Sequence, residues 1–178
     1  MAIDDLDKLM FRLQLSGRGL FINESDFPDQ LTKKNEEDAG LDIKAVLIGE
    51  DVETVIYGPT GETYLTDVRE IVIPAKGRAC INAMVRTKIT EGHYGKLASR
   101  SGLSKRFGLE VGAGTVDAGY RGLISVVLHN HGFYDYVVLN GDKIAQLITI
   151  KIDSNPYIEV SDLDVTERGS GGFGSSGR

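Results

Sequence analysis

The strongest constraint on this chain is its glycine: 22 of 178 residues, spread without a short repeat between short apolar segments. Glycine enters tight turns at no steric cost, so frequent glycines between brief apolar runs specify strands that reverse direction often. The pattern predicts an all-β chain: a jelly-roll-like β-barrel or sandwich with one short helix and a flexible Gly-rich C-terminal arm.

Local periodicity supports this. Ile81, Ala83, Val85 and Ile89 fall on one face and Asn82, Met84, Arg86 and Lys88 on the other, with Pro74 and Gly77 at the entry. The run Leu123–Leu128 is apolar except for Ser125, which predicts a strand covered on both faces. Tyr136–Leu139, an Asn140-Gly141 turn and Ile144–Ile152 predict a hairpin. Leu9, Phe11, Leu13 and Leu15 alternate as in a strand, but Leu6, Leu9, Met10 and Leu13 equally fit a helical face. Asn23 to Asp38 is polar and reads as a loop. Only Ser101–Phe107 reads as helix, with Ser101 as the expected cap.

Charge and cysteine count exclude several classes. Lys and Arg number 20 against 26 Asp and Glu, a net charge of −6, so a nucleic-acid-coating protein is excluded. A lone cysteine, Cys80, forms no internal disulfide and is expected simply to pack. Three histidines and one cysteine are too few for a structural zinc site. His129 and His131 have no neighbouring carboxylate set in sequence and read as ordinary sheet residues. No apolar stretch is long enough to cross a bilayer, and Asp4, Asp5 and Asp7 stand where a signal peptide needs positive charge. The expectation is a soluble intracellular protein, cytoplasmic or nuclear, of cellular, viral or phage origin, with neither membrane nor nucleic acid as partner.

Five stretches could carry chemistry. In AGLDIKA, Asp42 interrupts an apolar strand; it either faces solvent or holds a hard cation through waters. In SRSGLSKR, Arg100, Ser101 and the Gly102 amide gather at a helix start, either as a capped helix or as an anion site. In GAGTVDAGYRGLI, read as a strand, glycine turn and strand, Asp117 is an Asx-turn former or a general base, with Tyr120 able to pack on a ligand. Gln146 interrupts KIAQLI, where a buried amide needs partners. The end, RGSGGFGSSGR, is a flexible terminus or an anion-wrapping arm: glycine amides and Arg168 approach phosphate oxygens closely, and Phe173 can stack on a base.

In this order, the five stretches resemble the five motifs of the trimeric deoxyuridine triphosphatase (dUTP diphosphatase) family, from about Leu9 to the C-terminus. Leu41 stands where that family commonly has an aromatic, and Lys143 where it commonly has Arg. Residues 1–8 and Tyr57–Thr66 look like additions to a β domain spanning 1–167, followed by an arm over 168–178. The resemblance implies hydrolysis of dUTP to dUMP and pyrophosphate in a homotrimer. Each site would take the first, second and fourth motifs from one subunit, the third from a neighbour and the arm from the third subunit. It implies that Asp117 polarises the attacking water and that the hairpin between Gly114 and Ser125, Val116 included, reads uracil through its backbone. Tyr120 would exclude a 2′-hydroxyl. Arg100, Ser101, Gly102 and Gln146 would hold the phosphates, and Asp42 would position Mg²⁺ through water. Arg168, Phe173, Gly174 and Ser175 would close over the ligand. Two other readings remain. A dCTP deaminase shares the fold but places a catalytic glutamate where this chain has Arg121, and it lacks the arm. A dUTPase with an added protein-binding regulatory role would use Met1–Met10 and Tyr57–Thr66.

Overall fold

The computed structural model describes residues 18–49 and 52–171. The segment around Leu9–Leu15 and the arm residues Phe173, Gly174 and Ser175 lie outside them. In chain order the strands are β1 (Leu20–Asn23), β2 (Leu41–Lys44), β3 (Glu53–Gly58), β4 (Gly61–Thr66), β5 (Glu70–Ile73), β6 (Arg78–Asn82), β7 (Val85–Lys88) and β8 (His93–Ala98). The helix α1 (Ser101–Phe107) follows, then β9 (Leu109–Gly112), β10 (Thr115–Val116), β11 (Ser125–Asn130), β12 (Tyr136–Leu139) and β13 (Lys143–Lys151). A five-stranded sheet runs β4-β3-β6-β11-β9 and a four-stranded sheet runs β10-β8-β13-β2, with β1-β7 and β12-β5 as two further pairs. This is the all-β, jelly-roll architecture expected from the turns.

Every ladder is antiparallel, so strands expose alternate residues to a common core. Ile43, Leu47, Ile81, Leu109, Leu128 and Ile144 are its largest fully buried side chains, together with Ile71, Ile73 and Ile124. Each contributes roughly 1.5–3 kcal/mol by leaving water. One buried polar group crosses that core. The Gln30 amide donates to the Lys44 and Ala83 carbonyls at 3.1 and 2.7 Å and accepts the Lys44 N–H at 2.7 Å, tying the early loop to two sheets.

Several local expectations change. The alternation Ile81-Ala83-Val85-Ile89 is buried as read, but it is not one strand. Met84 adopts φ +49°, its N–H held by the Asn82 side chain at 2.7 Å, and this corner separates β6 from β7. The Leu123–Leu128 run becomes β11 only from Ser125 and alternates, with Val126 and Leu128 buried and Val127 half-buried. The Asn140-Gly141 turn forms, but β12 and β13 do not pair. β12 joins β5, and β13 lies between β2 and β8. The reason lies in the turn: the Asn140 side-chain Oδ1 accepts the Leu47 N–H at 2.8 Å, and the Gly141 N–H donates to the Ala45 carbonyl at 2.8 Å. Its polar groups are committed to other segments rather than to a hairpin. Helix α1 is capped by Arg100 without a side-chain bond, so Ser101 is its first residue and not its cap; Gly108, at φ +70°, ends it.

No described helix is long and apolar enough to cross a membrane. Of Tyr57–Thr66, Tyr57 and Gly58 end β3, which pairs with β6 inside the five-stranded sheet, and β4 forms one exposed edge of it. Beyond β13, Ile152–Ser170 is exposed throughout.

Candidate functional site

The fold brings the first, second and fourth stretches to one open cleft of about 670 Å³. Strand β13 is the reason. It lies between β2 and β8 with Gln146 opposite both Asp42 and Ala98, so residues a hundred positions apart in sequence share one rung. The cleft is lined by Gly40, Asp42, Arg100, Ser101, Gly102, Lys143 and Gln146, and also by Lys34 and Arg106. A side chain at Gly40 would collide with the Gln146 amide, so glycine is required there for close approach. The Gln146 amide donates to the Ser99 carbonyl at 3.3 Å.

Asp42 is not an idle strand carboxylate. Lys143 donates to its Oδ2 at 2.6 Å, and Arg100 stands 3.6 Å from its Oδ1. Asp42 thus holds two cations in place. Lys34, Arg100, Arg106 and Lys143 face Asp38, Asp42 and Asp142, leaving the cleft positive in a chain of net charge −6. Such a surface suits several linked phosphates. Among the described residues no group of three or more His, Cys, Asp or Glu could hold a metal. Mg²⁺ keeps most of its waters and takes phosphate oxygens as ligands, so one carboxylate acting through water fits this set and a closed protein cage does not.

The third stretch lies elsewhere. Ala113, at φ +49°, turns the chain from β9 in the five-stranded sheet to β10 in the four-stranded one, so the expected local hairpin becomes an excursion between sheets. A separate cavity of about 210 Å³ lies along it, lined by Thr115, Val116, Asp117, Tyr120 and Leu123–Ser125. Gly114 closes against β8, accepting the Leu97 N–H at 2.7 Å, and a side chain there would meet the Leu97 carbonyl. Asp117 is exposed at the tip, its carbonyl accepting the Tyr120 N–H at 3.0 Å. The Tyr120 hydroxyl donates to the Leu123 carbonyl at 2.9 Å, laying the ring over Gly122. Arg121 clamps the tip by donating to Ala118 and Tyr120 carbonyls at 2.7 and 2.8 Å. Among the described residues none lines both cavities. Of the arm, Arg168 is described: it is exposed, and its Nε donates to the Gly171 carbonyl at 2.9 Å.

Sequence reasoning gave no site role to four residues. Lys34 and Arg106 line the phosphate-suited cleft, Lys143 holds Asp42, and Glu110 braces the helix start. Arg106 lies four residues after Gly102 and donates to its carbonyl at 3.2 Å, a helical spacing that could have been read. Glu110 accepts the Ser99 hydroxyl at 2.5 Å and also the Ser104 hydroxyl, while Ser99 accepts the Val111 N–H at 2.9 Å. The Ser104 and Ser99 hydroxyls hold the Glu110 carboxyl below its ordinary range. A carboxyl whose pKa is lowered on folding stabilises at neutral pH, and that contribution is lost as pH falls through the folded-state value. Glu110→Gln should lower Tm at pH 7 by about 2–4 °C, since one charge-assisted hydrogen bond at a half-exposed site is worth roughly 1 kcal/mol. The two proteins should converge as pH falls from the ordinary carboxyl value, about 4.3, through the lowered folded-state one. Melting curves from pH 3 to 7 check this; parallel curves would remove Glu110 from the acid response.

His129 and His131 stack with ring centroids 5.7 Å apart. Burial pushes the Cys80 thiol up, as suits a packing residue.

Residues 65–177 match the dUTPase family model. The deoxyuridine 5′-triphosphate nucleotidohydrolase of Oryza sativa subsp. japonica is 46% identical over 113 residues, 64% of this chain and 66% of that protein, just under two thirds of its length. A putative one from Frog virus 3 is 39% identical over 140 residues, 78% of this chain and 85% of that protein. In three dimensions the Staphylococcus bacteriophage 80alpha dUTPase, solved with dUpNHpp, superposes with a TM-score of 0.72 at 24% identity, covering 92% of this chain and all of that one. With the family model matched over well more than half of its length, this chain belongs to the dUTPase family.

Proposed function

We propose that this chain hydrolyses dUTP to dUMP and pyrophosphate, with Asp117 as the base that orients the attacking water. The water oxygen bonds to the α-phosphorus, the bond to the β-phosphate oxygen breaks, and Asp117 accepts the water's proton. Phosphoryl transfer of this kind needs positioning and charge neutralisation more than covalent chemistry. Arg100, Ser101, Gly102 and Gln146 bind the phosphate chain, and Lys143 keeps Asp42 and Arg100 in register. Bound Mg²⁺, held by the phosphates and through water by Asp42, would supply neutralisation of their charge. The Gly114–Ser125 excursion, Val116 included, reads the uracil edge, and Tyr120 lies against the sugar. Arg168, Phe173, Gly174 and Ser175 close the site.

The observation that carries this reading is the separation of a positive cleft from a small cavity bearing Asp117, within one chain whose motifs match the family. A site needing both is completed when copies assemble, which supports a homotrimer with shared sites and an arm over residues 168–178. Deamination of dCTP is disfavoured, because Arg121 stands where that chemistry needs a glutamate and serves here to clamp the tip.

Incubation with each dNTP and UTP in Mg²⁺ should give dUMP and pyrophosphate from dUTP, with far slower turnover of dCTP, dTTP and UTP. Ammonia from dCTP, or equal turnover of all, would overturn the proposal. Sharing has its own test. Co-refolded with chains truncated after Glu167, inactive Asp117→Asn chains should regain activity at roughly a quarter of sites, since random mixing in a trimer pairs an intact tip with an intact arm that often. If each site lay within one chain, mixing would restore nothing.

A further inference from the structure

We propose that the cleft between the β3–β4 hairpin and the start of β6 is an anion site, separate from the nucleotide site, which takes a phosphate-type oxyanion. This inference does not rest on the proposed dUTP activity. The hairpin up to Tyr64 precedes the region matched by the family model, so half of this cleft is built by a segment outside that match.

The cleft measures about 400 Å³. Its floor is a cross-strand row: Arg78 on β6 pairs with Tyr57 on β3 and with His129 on β11. Cross-strand partners project to the same side of a sheet, about 5 Å apart. The Arg78 guanidinium lies 4.3 Å above the Tyr57 ring. Stacking of this kind holds the planar fork while leaving its N–H edge free to donate. Lys76 reaches over from the preceding turn, its Nζ 4.2 Å above the Phe133 ring and donating to the His131 carbonyl at 2.6 Å. That uses one of three ammonium protons. The hairpin is seated firmly, for a side chain at Gly77 would come within 2.7 Å of the Tyr57 carbonyl.

The charge balance makes this a site for an anion. Among the described residues no carboxylate stands within ion-pair distance of Lys76 or Arg78, whose cations are held by ring contacts instead. The acidic residue lining the cleft, Glu62, is engaged by the Tyr64 hydroxyl at 2.8 Å. Lys76 and Arg78, held on one wall by ring contacts and outnumbering the single carboxylate of the lining, form a preorganised cationic donor set in a chain of net charge −6. The phosphate-type oxyanion is the class that such a fork and point charge match best.

The test is a titration of the full-length protein with inorganic phosphate, followed by backbone amide chemical shifts at constant ionic strength in chloride. Saturable shifts are expected at Tyr57, Gly61, Gly77 and His129. Arg78→Ala should weaken that set roughly tenfold or more and leave the shifts around Gly102 unchanged; Arg100→Ala should do the reverse. Arg78→Lys, which retains the charge and the fold, should lose part of the affinity because the fork is gone. Turnover of dUTP should be unaffected by Arg78→Ala. Absence of saturable shifts at the cleft, equal shifts with chloride alone, or equal sensitivity of both sets to Arg100→Ala would each overturn the proposal.

Discussion

Asp117→Asn should keep the melting temperature and bind a non-hydrolysable dUTP analogue as the parent protein does, while kcat falls by ~10²–10⁴-fold. The carboxylate is exposed at the tip of the excursion, and the turn there is made by its backbone carbonyl to Tyr120 and by Arg121, not by its side chain. Asparagine therefore preserves shape and removes only the basic oxygen. Single-turnover kinetics with radiolabelled dUTP separates the chemical step from binding. Near-normal turnover would mean that another group handles the water, and loss of analogue binding would mean that Asp117 holds substrate instead.

Truncation after Glu167 is the second large effect, an expected loss of at least two powers of ten in kcat/KM with Tm unchanged. It removes Arg168 and a run of glycines, serines and Phe173. Each charge-assisted contact to phosphate is worth about 1.5–3 kcal/mol and stacking on a base about 1–3 kcal/mol, while ordering the segment costs about 1–2 kcal/mol per residue fixed, so the expected hundredfold loss, about 2.8 kcal/mol, is the net of opposing terms. Phe173→Ala alone should cost roughly one to two powers of ten, each tenfold step being about 1.4 kcal/mol. Ile152–Ser170 is exposed along its length in this chain, which is why Tm should not move. An active truncated protein, or an unfolded one, would show the arm to be a linker or a structural strap.

The two predictions meet in one physical feature: among the described residues, the cavity bearing Asp117 and the positive cleft stand apart within a single chain. Nothing in local sequence encodes that separation. Asp42 illustrates the point. As a strand carboxylate it could have faced solvent or a cation; its role depends on Lys143 and Arg100 arriving from distant strands. Glu110 went unnoticed because its partners Ser99 and Ser104 lie across a helix and its fold-back, and hydroxyl-to-carboxylate bonds follow no simple spacing.

What the sequence determined by itself was whatever depends on neighbours in the chain. Glycine turns and two-residue alternation specified an all-β fold, Ser101–Phe107 a helix, and Ile81, Ala83, Val85 and Ile89 a buried face, because side-chain direction and turn geometry are set within a few residues. The ordered motifs specified the family for the same reason. Strand pairing was left to the tertiary structure. The Asn140-Gly141 turn forms as written, yet its strands join β5, β2 and β8, because the Asn140 side chain and the Gly141 amide bond to Leu47 and Ala45 instead of closing a hairpin. Met84 and Ala113 turn the chain through positive φ at points where alternation alone promised continuity. Ladder partners are chosen by which distant backbone groups lie unpaired beside a shared core, and that choice decides which residues meet in the cleft.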